Sequence, residues 1–560
     1  MPIGPGLLLI VLALVSFSLS LGDPVIYPWP TGAPKSQSFL VSVNGIPTPV
    51  LSVQGFSWCS FGFPSKNDSS SAAIIVEITP INNGTSPTNW LIKSAVARPL
   101  RKKLKPIIIA NQTAVQLRLT FPVKLAVEIS LGLRPNPYSE STNNTCSHGA
   151  RYPSNRTSCP GAAAGVTPQE CARLGCCFSP TPNPDPSFFP WCYEGSDAPP
   201  PADRPPLLLF AEPSETKSAV PTPDTPGVVY FGPGLHDPNP NVSEPWCPLS
   251  ATNPTLYLAP GAYLRTGIDC YDDVDYNVIG RGAISGEKVP RKGHSGQCLV
   301  HFGGGGRVRI SGVTILAAPH MQMCVGGGTI NRPHEVRGVK LITPRSPNSD
   351  GIHAGPSQLI DDCFIVANDD ALDVGQGAYW SLITNTTIWN TWGSALLISW
   401  NAEHNTGNAV VDGIDIIRWE GDEYDSDEAI ILLKHGCTGN LSNFTFANIR
   451  VENTGKNSRL IGWTIGPTYF SCFVPGCACG TNATDDNLGS VRGITLRDVT
   501  VDGVSVGLHG GHNFIRGFSA RRQISDVHFE RLRINGSMVT SADAMGLDLG
   551  PFVSNVTFSL

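Results

Sequence analysis

The sequence predicts an all-β protein in which a right-handed parallel β-helix follows a β-sandwich, with a small disulfide-rich domain inserted between them. A short apolar phrase recurs ten times in the second half of the chain. The 58 glycines and 49 prolines among 560 residues favour turns and short strands over long helices. Six cysteines lie within 47 residues, and so dense a block requires disulfides because it buries little core.

Length and charge narrow the function classes before any motif is considered. A chain of 560 residues is expected to fold as several units. Lysine and arginine total 39 against 45 acidic residues, which gives a net charge of −6. Because there is no basic excess to neutralise a phosphate backbone, a nucleic-acid partner is not expected. The sequence has no phosphate loop or nucleotide fingerprint, and no cofactor is expected.

The first 22 residues look like a secretory signal peptide. An apolar run begins at Leu7 and continues through Leu19, and small residues precede a cleavage point before Asp23. The alternative is an uncleaved anchor, but the run is shorter than the ~20 residues that a membrane span needs. No other stretch is apolar enough to span a membrane. The prediction is a secreted, extracellular protein, with a lysosome-like compartment left open.

Glycosylation and disulfides agree with the secretory pathway. Twelve Asn-x-Ser/Thr acceptors follow the signal peptide and predict a glycoprotein. These acceptors are Asn67, Asn83, Asn111, Asn143, Asn155, Asn241, Asn385, Asn440, Asn443, Asn482, Asn535 and Asn555. Sixteen cysteines fit an oxidising compartment better than zinc, since no paired Cys-x-x-Cys spacing occurs. No metal site is expected, and Cys472, Cys477 and Cys479 are predicted to lie in a disulfide-stapled loop.

Residues 23–143 are predicted to form the β-sandwich. Turns rich in Gly, Pro and Asn separate apolar runs such as SFLVSV, AAIIVEI, KPIIIA and VQLRLTF. A proline-rich connection is predicted over 196–225. Within it, the apolar stretch LLLFAEP at 207–213 is compatible with a return to the sandwich. Such a return would make the cysteine-rich block an insertion.

The cysteine-rich block is assigned to residues 144–195. It reads CPGAAAGVTPQECARLGCCF followed by PWCY, and this text resembles the trefoil (P-type) domain. The resemblance implies three disulfides, which join Cys146 to Cys177, Cys159 to Cys176 and Cys171 to Cys192. Two roles remain open for this domain, a structural spacer or glycan contact through Trp191 and Tyr193.

The recurring phrase predicts that residues 226–560 form the β-helix. It consists of an apolar pair, a Gly, Asp or Asn, and then alternating apolar residues, as in VRGVKLI at 336 and VVDGIDII at 410. Most starts are under 34 residues apart, within the range of solenoid repeats. No helical 3.6-residue pattern separates the phrases. The alternative, an immunoglobulin-like or lectin array, would show more short hairpin turns.

Three aspartates in this region are the candidate catalytic residues. Asp350 precedes Asp369 and Asp370 by 19 and 20 residues, which is close to one coil. Since coils stack about 4.8 Å apart, this offset predicts three neighbouring carboxylates on one face. Like charges held together raise at least one pKa, so a protonated acid and an ionised base coexist, as glycoside hydrolysis requires. The alternative is a role in turns or in calcium binding.

Several phrases resemble the β-helical glycoside hydrolases of the polygalacturonase and dextranase clan, namely VVYFGPGLHD, TLYLAPGAYLRTG, NVIGRGAISGE, PNSDGIHA and ANDDALDVG. With its preceding sandwich and its aspartate spacing, the chain is more similar to the dextranase and isopullulanase family, glycoside hydrolase family 49. The resemblance covers 200–560 well and 24–143 only in architecture. It implies that Asp369 is the general acid, that Asp350 and Asp370 activate the attacking water, and that the anomeric centre is inverted.

A polysaccharide is the expected substrate, and a neutral α-glucan such as dextran is favoured. Polygalacturonases carry Gly-His-Gly and Arg-Ile-Lys after the acid pair, whereas this chain reads TWGSALLISW and ILLKHG and keeps only Lys434. Six acidic residues within 420–428 would repel a uronate polymer if they lie near the cleft. The alternatives are a polygalacturonase-type pectin hydrolase and a non-catalytic glycan-binding matrix protein.

Four residues are the candidates for substrate binding, namely Lys434, His353, Trp400 and Trp392. Regular strand alternation nevertheless predicts that His353 faces away from Asp350. Trp419 and Trp463 could also stack on sugars, and packing in the core is the alternative for all four tryptophans. The sequence leaves the oligomeric state open.

Overall fold

The fold was analysed in a computed structural model. It describes residues 23–64, 73–81, 90–109, 111–133, 206–215, 220–239, 246–291, 297–329, 331–375, 380–420, 428–454, 458–468, 470–502 and 513–560, with the backbone of 157–158, 177–178 and 192–194. The predicted signal peptide lies outside these residues. Among the residues described, no helix is long and apolar enough to cross a membrane.

The first ten strands belong to the sandwich. They are β1 Val25–Ile26, β2 Phe39–Val43, β3 Ile46–Thr48, β4 Leu51–Val53, β5 Phe56–Phe63, β6 Ile74–Pro80, β7 Trp90–Arg98, β8 Ile107–Ile108, β9 Val115–Leu119 and β10 Val123–Leu133. A 3-10 helix lies at Leu100–Lys102. Alternating side chains of the two sheets share one buried core, which includes Val41 from one sheet and Leu125 from the other.

The cysteine-rich block contributes the next three strands, β11 Thr157–Ser158, β12 Cys177–Phe178 and β13 Cys192–Glu194. They pair antiparallel, with β13 in the middle. The side chains of this block, including the three predicted disulfides, Trp191 and Tyr193, lie outside the described residues. Glycan contact through this domain therefore stays a prediction.

Strand β14, Leu207–Pro213, returns to the sandwich. It runs parallel to β5 and antiparallel to β10, which gives one sheet the order β1-β5-β14-β10-β7, with β4 also paired to β5. The other sheet has the order β3-β2-β6-β9-β8. The stretch predicted as a connection over 196–225 thus contains an interior strand. Its side chains alternate between the sandwich core, which includes Leu209, and the cluster against the β-helix, which includes Leu208 and Phe210.

The remaining strands build the β-helix. They are β15 Val228–Phe231, β16 Gly234–His236, β17 Thr255–Leu258, β18 Ala262–Leu264, β19 Ile268–Cys270, β20 Tyr276–Gly280, β21 Ala283–Ser285, β22 Cys298–Phe302, β23 Val308–Ser311, β24 Thr314–Leu316, β25 Met321–Val325, β26 His334–Arg337, β27 Lys340–Thr343, β28 Ile352–Ala354, β29 Gln358–Asp361, β30 Phe364–Asn368, β31 Leu372–Asp373, β32 Ser381–Thr384, β33 Thr387–Trp392, β34 Leu396–Leu397, β35 Thr406–Asp412, β36 Asp415–Trp419, β37 Ile431–His435, β38 Leu441–Ala447, β39 Arg450–Val451, β40 Ile461–Ile465, β41 Val491–Arg497, β42 Thr500–Val501, β43 Asn513–Arg516, β44 Ile524–Glu530, β45 Arg533–Ile534, β46 Ser537–Met538, β47 Leu547–Leu549 and β48 Val553–Ser559.

These strands form three long sheets. Sheet I begins with β15, β17 and β20, continues with every third strand to β44, ends with β48 and has 12 strands. Sheet II begins with β16, β18 and β21 and also has 12, whereas sheet III begins with β19 and β22 and has 10. All neighbours are parallel except β45 and β46. The predicted parallel β-helix and the all-β class are confirmed. The described residues include one short α-helix, α1 Ala542–Met545, and 3-10 helices at Phe470–Phe473 and Gly480–Asn482.

The ten recurring phrases begin on strands of sheet I, and in most coils a Gly, Asp or Asn is the corner residue that leads into sheet II. In seven consecutive coils this residue has a positive φ of 49° to 77°. The residues are Gly312, Gly338, Asp362, Asn385, Gly413, Asn448 and Asp498. Left-handed backbone favours glycine, asparagine and aspartate, which explains the composition of the repeat.

Four disulfides lie in the β-helix, joining Cys247 to Cys270, Cys298 to Cys324, Cys437 to Cys477 and Cys472 to Cys479. The last two staple the predicted loop. Cys59 and Cys363 are buried thiols. The seven described glycosylation acceptors are all exposed, namely Asn111, Asn385, Asn440, Asn443, Asn482, Asn535 and Asn555. Their modification stays a prediction.

The sandwich packs on sheet II of the β-helix. Phe210 in β14 meets Phe364 in β30 edge to face, with ring centroids 5.3 Å apart. Phe56 meets Trp389 in the same way at 5.6 Å. These rings belong to a shared apolar cluster that joins the two domains.

Candidate active site

The three predicted aspartates lie at the corner between sheets II and III. Asp350 precedes β28, and Asp369 and Asp370 precede β31 in the next coil. The register pairs Ile352 with Leu372, which sets Asp350 beside Asp370. The backbone N–H of Gly351 donates to the carbonyl oxygen of Asp370 at 3.0 Å. The one-coil offset therefore brings the three residues together, as the spacing predicts.

Asp369 is the carboxyl whose ionisation is most suppressed. Burial, followed by the charges of Asp350, Asp370 and Glu428, raises the pKa of Asp369 well above its ordinary value. Its Oδ2 accepts a hydrogen bond from Asn348 Nδ2 at 3.2 Å, and its Oδ1 accepts one from the backbone N–H of Asp370 at 2.9 Å. This arrangement holds a protonated carboxyl in one orientation.

Asp370 is surrounded by hydrogen-bond donors that Asp369 lacks. Its Oδ1 accepts from the backbone N–H of Ser394 at 2.9 Å and from the Ser394 hydroxyl. Its Oδ2 accepts from Trp400 Nε1 at 2.9 Å. Burial and the neighbouring Asp350 raise the pKa of Asp370 to about 6, while the bonds from Ser394 and Trp400 act in the opposite direction. Asp370 is therefore the more readily ionised of the two adjacent aspartates.

Asp350 is held by a histidine that lies between two carboxylates. His353 Nε2 lies 2.9 Å from Asp350 Oδ2, and His353 Nδ1 lies 3.4 Å from Asp373 Oδ2. Burial alone would lower the pKa of His353, but its bonds to both carboxylates raise it well above the ordinary value. Both contacts therefore favour the imidazolium form of His353, whose positive charge lies against Asp350.

The expectation that His353 faces away from Asp350 is wrong. Alternation of side chains holds only within a strand, and β28 begins at Ile352. Asp350 and Gly351 lie in the corner before it, where the chain changes direction. The two side chains consequently meet across the corner.

The other predicted binding residues lie near the same aspartates. Lys434 Nζ lies 4.5 Å from the centre of the Trp400 ring and 3.8 Å from Glu428 Oε1. Trp392 ends β33, is partly exposed and is in register with Asn368, the residue before Asp369. Trp400 thus connects Lys434 to the aspartates, and Trp392 lies one coil beyond Asp369.

Trp419 and Trp463 belong to the interior. Their exposed fractions are 1% and 0%. Their indole N–H groups donate to the carbonyl oxygens of Gly393 at 2.9 Å and Ile431 at 3.1 Å. Neither ring is available to stack on a sugar.

Sequence reasoning missed three residues that contact the aspartates or support such a contact: Ser394, Asn348 and Arg291. Asn348 lies two residues before Asp350 in the same motif, so proximity in sequence was a usable signal. Arg291 donates to Asn348 Oδ1 at 2.6 Å and also to the carbonyl oxygen of Pro347. It comes from a corner two coils earlier, and no local motif marks it.

Gly393 shows how closely the next coil approaches the acid. Its φ is 68°, and a Cβ atom at this position would lie 2.7 Å from Asp369 Oδ1. A side chain here would displace the carboxyl. Among the described residues, no group of three or more His, Cys, Asp or Glu side chains is arranged to hold a metal ion.

Comparison with known proteins supports both the inserted cysteine-rich domain and the overall fold. Residues 149–195 match the trefoil (P-type) domain family. Dex49A from Penicillium minioluteum superposes on 95% of this chain and 96% of its own, with a TM-score of 0.63 and 17% identity. The chain has the fold of Dex49A.

Two curated relatives are similar in sequence as well. A dextranase of Talaromyces minioluteus is 24% identical over 254 residues, covering 38% of this chain and 41% of that protein. An isopullulanase of Aspergillus niger is 23% identical over 365 residues, covering 54% of this chain and 64% of that protein. The similarity thus spans less than two thirds of either relative. The resemblance to dextranase and isopullulanase proteins that the sequence predicts is confirmed.

Proposed function

We propose that the chain is a secreted glycoside hydrolase that cleaves a neutral α-glucan, such as dextran, with inversion at the anomeric carbon. The observation that carries the proposal is the meeting of Asp350, Asp369 and Asp370 at one corner of adjacent coils, where Ser394 and Trp400 donate hydrogen bonds to Asp370. The pKa of Asp369 is raised well above its ordinary value, whereas donors from Ser394 and Trp400 restrain the rise at Asp370 to about 6. A pair divided in this way supplies both an acid and a base near neutral pH.

In the proposed reaction, Asp369 donates its proton to the glycosidic oxygen as the bond from that oxygen to the anomeric carbon breaks. Asp370, assisted by Asp350, removes a proton from a water molecule that attacks the anomeric carbon from the opposite face. One proton leaves the acid and one reaches the carboxylate pair, so the total charge of the site is unchanged. This is the single-displacement route of inverting glycosidases.

The His353 imidazolium has a supporting role in this scheme. Its bond of 2.9 Å to Asp350 places a positive charge beside the carboxylate that faces the water. Because Asp373 engages the other ring nitrogen, the ring is fixed from both sides. His353 is therefore a positioning residue rather than a proton donor to the sugar.

The charge of the site supports a neutral substrate. Asp350, Asp369, Asp370 and Glu428 lie together, and a uronate polymer would add further negative charge to them. The cation Lys434 is already directed toward Glu428 and the Trp400 ring. The names of the two curated relatives, a dextranase and an isopullulanase, support the same choice.

The test is release of reducing ends from dextran, pullulan, polygalacturonate, a β-glucan and a galactan. Cleavage of dextran or pullulan is expected, with loss of activity in Asp369→Asn and retention in Asp486→Asn, an exposed aspartate of the β-helix used as the matched control. Proton NMR of the first product gives its anomeric configuration. Cleavage of polygalacturonate alone would replace the proposed substrate, and retention of configuration would contradict the mechanism.

A further inference from the structure

The outer face of sheet III extends well beyond the three aspartates. The first five strands of this sheet, β19, β22, β25, β28 and β31, each place one side chain in a single register row. Every member of this row faces the same side of the sheet. The row consists of Asp269, His301, Cys324, His353 and Asp373. The face that presents His353 to Asp350 therefore continues through three earlier coils.

A second row lies two residues further along the chain, just past the ends of the same strands, and it has almost no side chains. Tyr271 begins it, and the next three coils carry Gly303, Gly326 and Gly355 at the corresponding positions. Backbone contacts keep these coils in register, since Gly303 N–H donates to Cys270 O at 2.8 Å and Gly326 N–H to Phe302 O at 2.9 Å. The result is a shallow path of partly exposed backbone between Tyr271 and the coil of Asp350.

Tyr271 is an unusual residue for a β-helix surface. Its side chain is 69% exposed, the largest exposed fraction of any aromatic residue among those described. The ring meets His301 edge to face, with centroids 4.7 Å apart. It also lies against Gly303, where a Cβ atom would come within 2.7 Å of the ring.

The surroundings hold this ring in place while leaving it open to solvent. His301 Nδ1 lies 2.9 Å from Asp269 Oδ1, which fixes the imidazole against which Tyr271 rests. Asp272 and Asp273 follow Tyr271 directly and add negative charge around it. A fixed, exposed aromatic ring in an acidic setting suits the apolar face of an uncharged sugar and disfavours a uronate.

We propose that Tyr271 forms a distal subsite for a neutral glycan whose scissile bond lies at the aspartates. The inference rests on the proposed function and adds the direction in which the substrate extends, across sheet III toward the first coils. Three coil steps of about 4.8 Å place Tyr271 roughly 14 Å from the coil of Asp350, a span that an oligosaccharide bridges. The glycine row lets the chain lie close to the sheet over that distance.

The first experiment measures binding apart from cleavage. Asp369→Asn and the double variant Asp369→Asn/Tyr271→Ala are run in native gels containing dextran or pullulan. The double variant is expected to bind roughly tenfold more weakly, which corresponds to about 1.4 kcal/mol and lies within the range of a single aromatic contact. Tyr271→Phe in the same background keeps the ring and should bind like Asp369→Asn. Phe552→Ala, another exposed aromatic on a distant coil, is the control for surface changes.

The second experiment compares kcat/KM for dextran with kcat/KM for the shortest oligosaccharide that is cleaved. Tyr271→Ala should lower the value for dextran roughly tenfold and leave the short substrate unchanged. An equal effect on both substrates, or no effect on either, would overturn the subsite.

The two experiments separate the subsite from the proposed function. If the wild type cleaves nothing but Asp369→Asn binds dextran or pullulan through Tyr271, the hydrolase proposal fails and the subsite stands. If cleavage occurs and binding ignores Tyr271, the subsite fails alone. If Asp369→Asn binds neither glucan, the subsite is also rejected.

Discussion

The corner between sheets II and III holds three carboxylates together, whereas the contact between the sandwich and sheet II holds a lysine against a glutamate. Lys340 is 0% exposed and donates to Glu212, which is 3% exposed, and to the carbonyl oxygen of Gly312. Burial lowers the pKa of Lys340 to about 8, and the nearby Glu212 opposes that change. Both places bury charged groups. At the contact between the sandwich and sheet II the two charges are opposite, whereas at the corner between sheets II and III the neighbouring groups are all carboxyls.

The difference separates a structural cluster from a functional one. A buried pair of opposite charges is tolerated because each group compensates the other. A buried group of like charges is tolerated only when one member becomes neutral, and this is the division between Asp369 and Asp370. Substitutions at the two clusters should therefore separate activity from stability.

The largest effect is expected from Asp369→Asn. Removal of the general acid should lower kcat by about 10²–10⁴-fold. Because asparagine resembles the protonated carboxyl that Asp369 carries in this scheme, Tm should change little. Reducing-end assays and thermal unfolding of the same preparation check both parts. A large fall in Tm together with the loss of activity would show that the cluster is structural.

Lys340→Met should produce the opposite result. It leaves Glu212 buried with Arg281 Nε at 3.9 Å as its nearest remaining cation, and loss of a buried partner costs about 3–5 kcal/mol. Tm should fall clearly, while kcat measured well below the new Tm should remain near that of the wild type. The double variant Lys340→Met/Glu212→Leu should recover much of the stability, since it removes the unpaired charge. Unfolding in urea measures all three, and equal stability of wild type and Lys340→Met would refute the comparison.

His353→Gln is expected to have an intermediate effect, because it should lower both the activity and the stability. It removes a charged hydrogen bond to Asp350, worth about 1.5–3 kcal/mol, and should lower kcat roughly tenfold. The pKa of His353 is raised in the folded state, so its stabilising contribution is fully present below the unfolded pKa of about 6.5 and is lost as pH rises through the higher folded pKa. The difference in unfolding free energy between wild type and variant should therefore shrink at alkaline pH. A difference that grows there would reject an imidazolium.

The sequence predicted two features that repeat once per coil, namely the corner residue and the offset between the aspartates. The corner into sheet II needs a left-handed residue, so Asp362, Asn385 and Gly413 recur at a readable period. The offset of 19 and 20 residues works for the same reason, because one coil brings Asp350 beside Asp370.

Features that do not repeat once per coil could not be predicted from the sequence. Glu212 and Lys340 are 128 residues apart and meet only because the sandwich packs on sheet II. His353 was placed on the wrong face because a corner, rather than a strand, separates it from Asp350. Coil lengths also vary, so no fixed spacing identified Ser394 or Trp400 as donors to Asp370.

The smallest effect is expected from Trp400→Phe, which keeps an aromatic ring but removes the indole N–H that donates to Asp370 Oδ2 at 2.9 Å. That donor favours the ionised carboxylate, so its loss should raise the pKa of Asp370 further. Activity requires Asp370 to be ionised, and the acidic limb of kcat/KM, near pH 6 in the wild type, should move to higher pH by about one unit. The alkaline limb, which reports Asp369, should move less.

The pH profile also separates two roles of the Trp400 ring. If Trp400 acted only by stacking on the sugar, phenylalanine would change KM and leave the acidic limb in place. If it acts through Asp370, the limb moves even when KM is unchanged. Because the carboxylates titrate as a coupled group, the limbs belong to the cluster, and the comparison is the displacement between variants measured under one buffer and ionic strength.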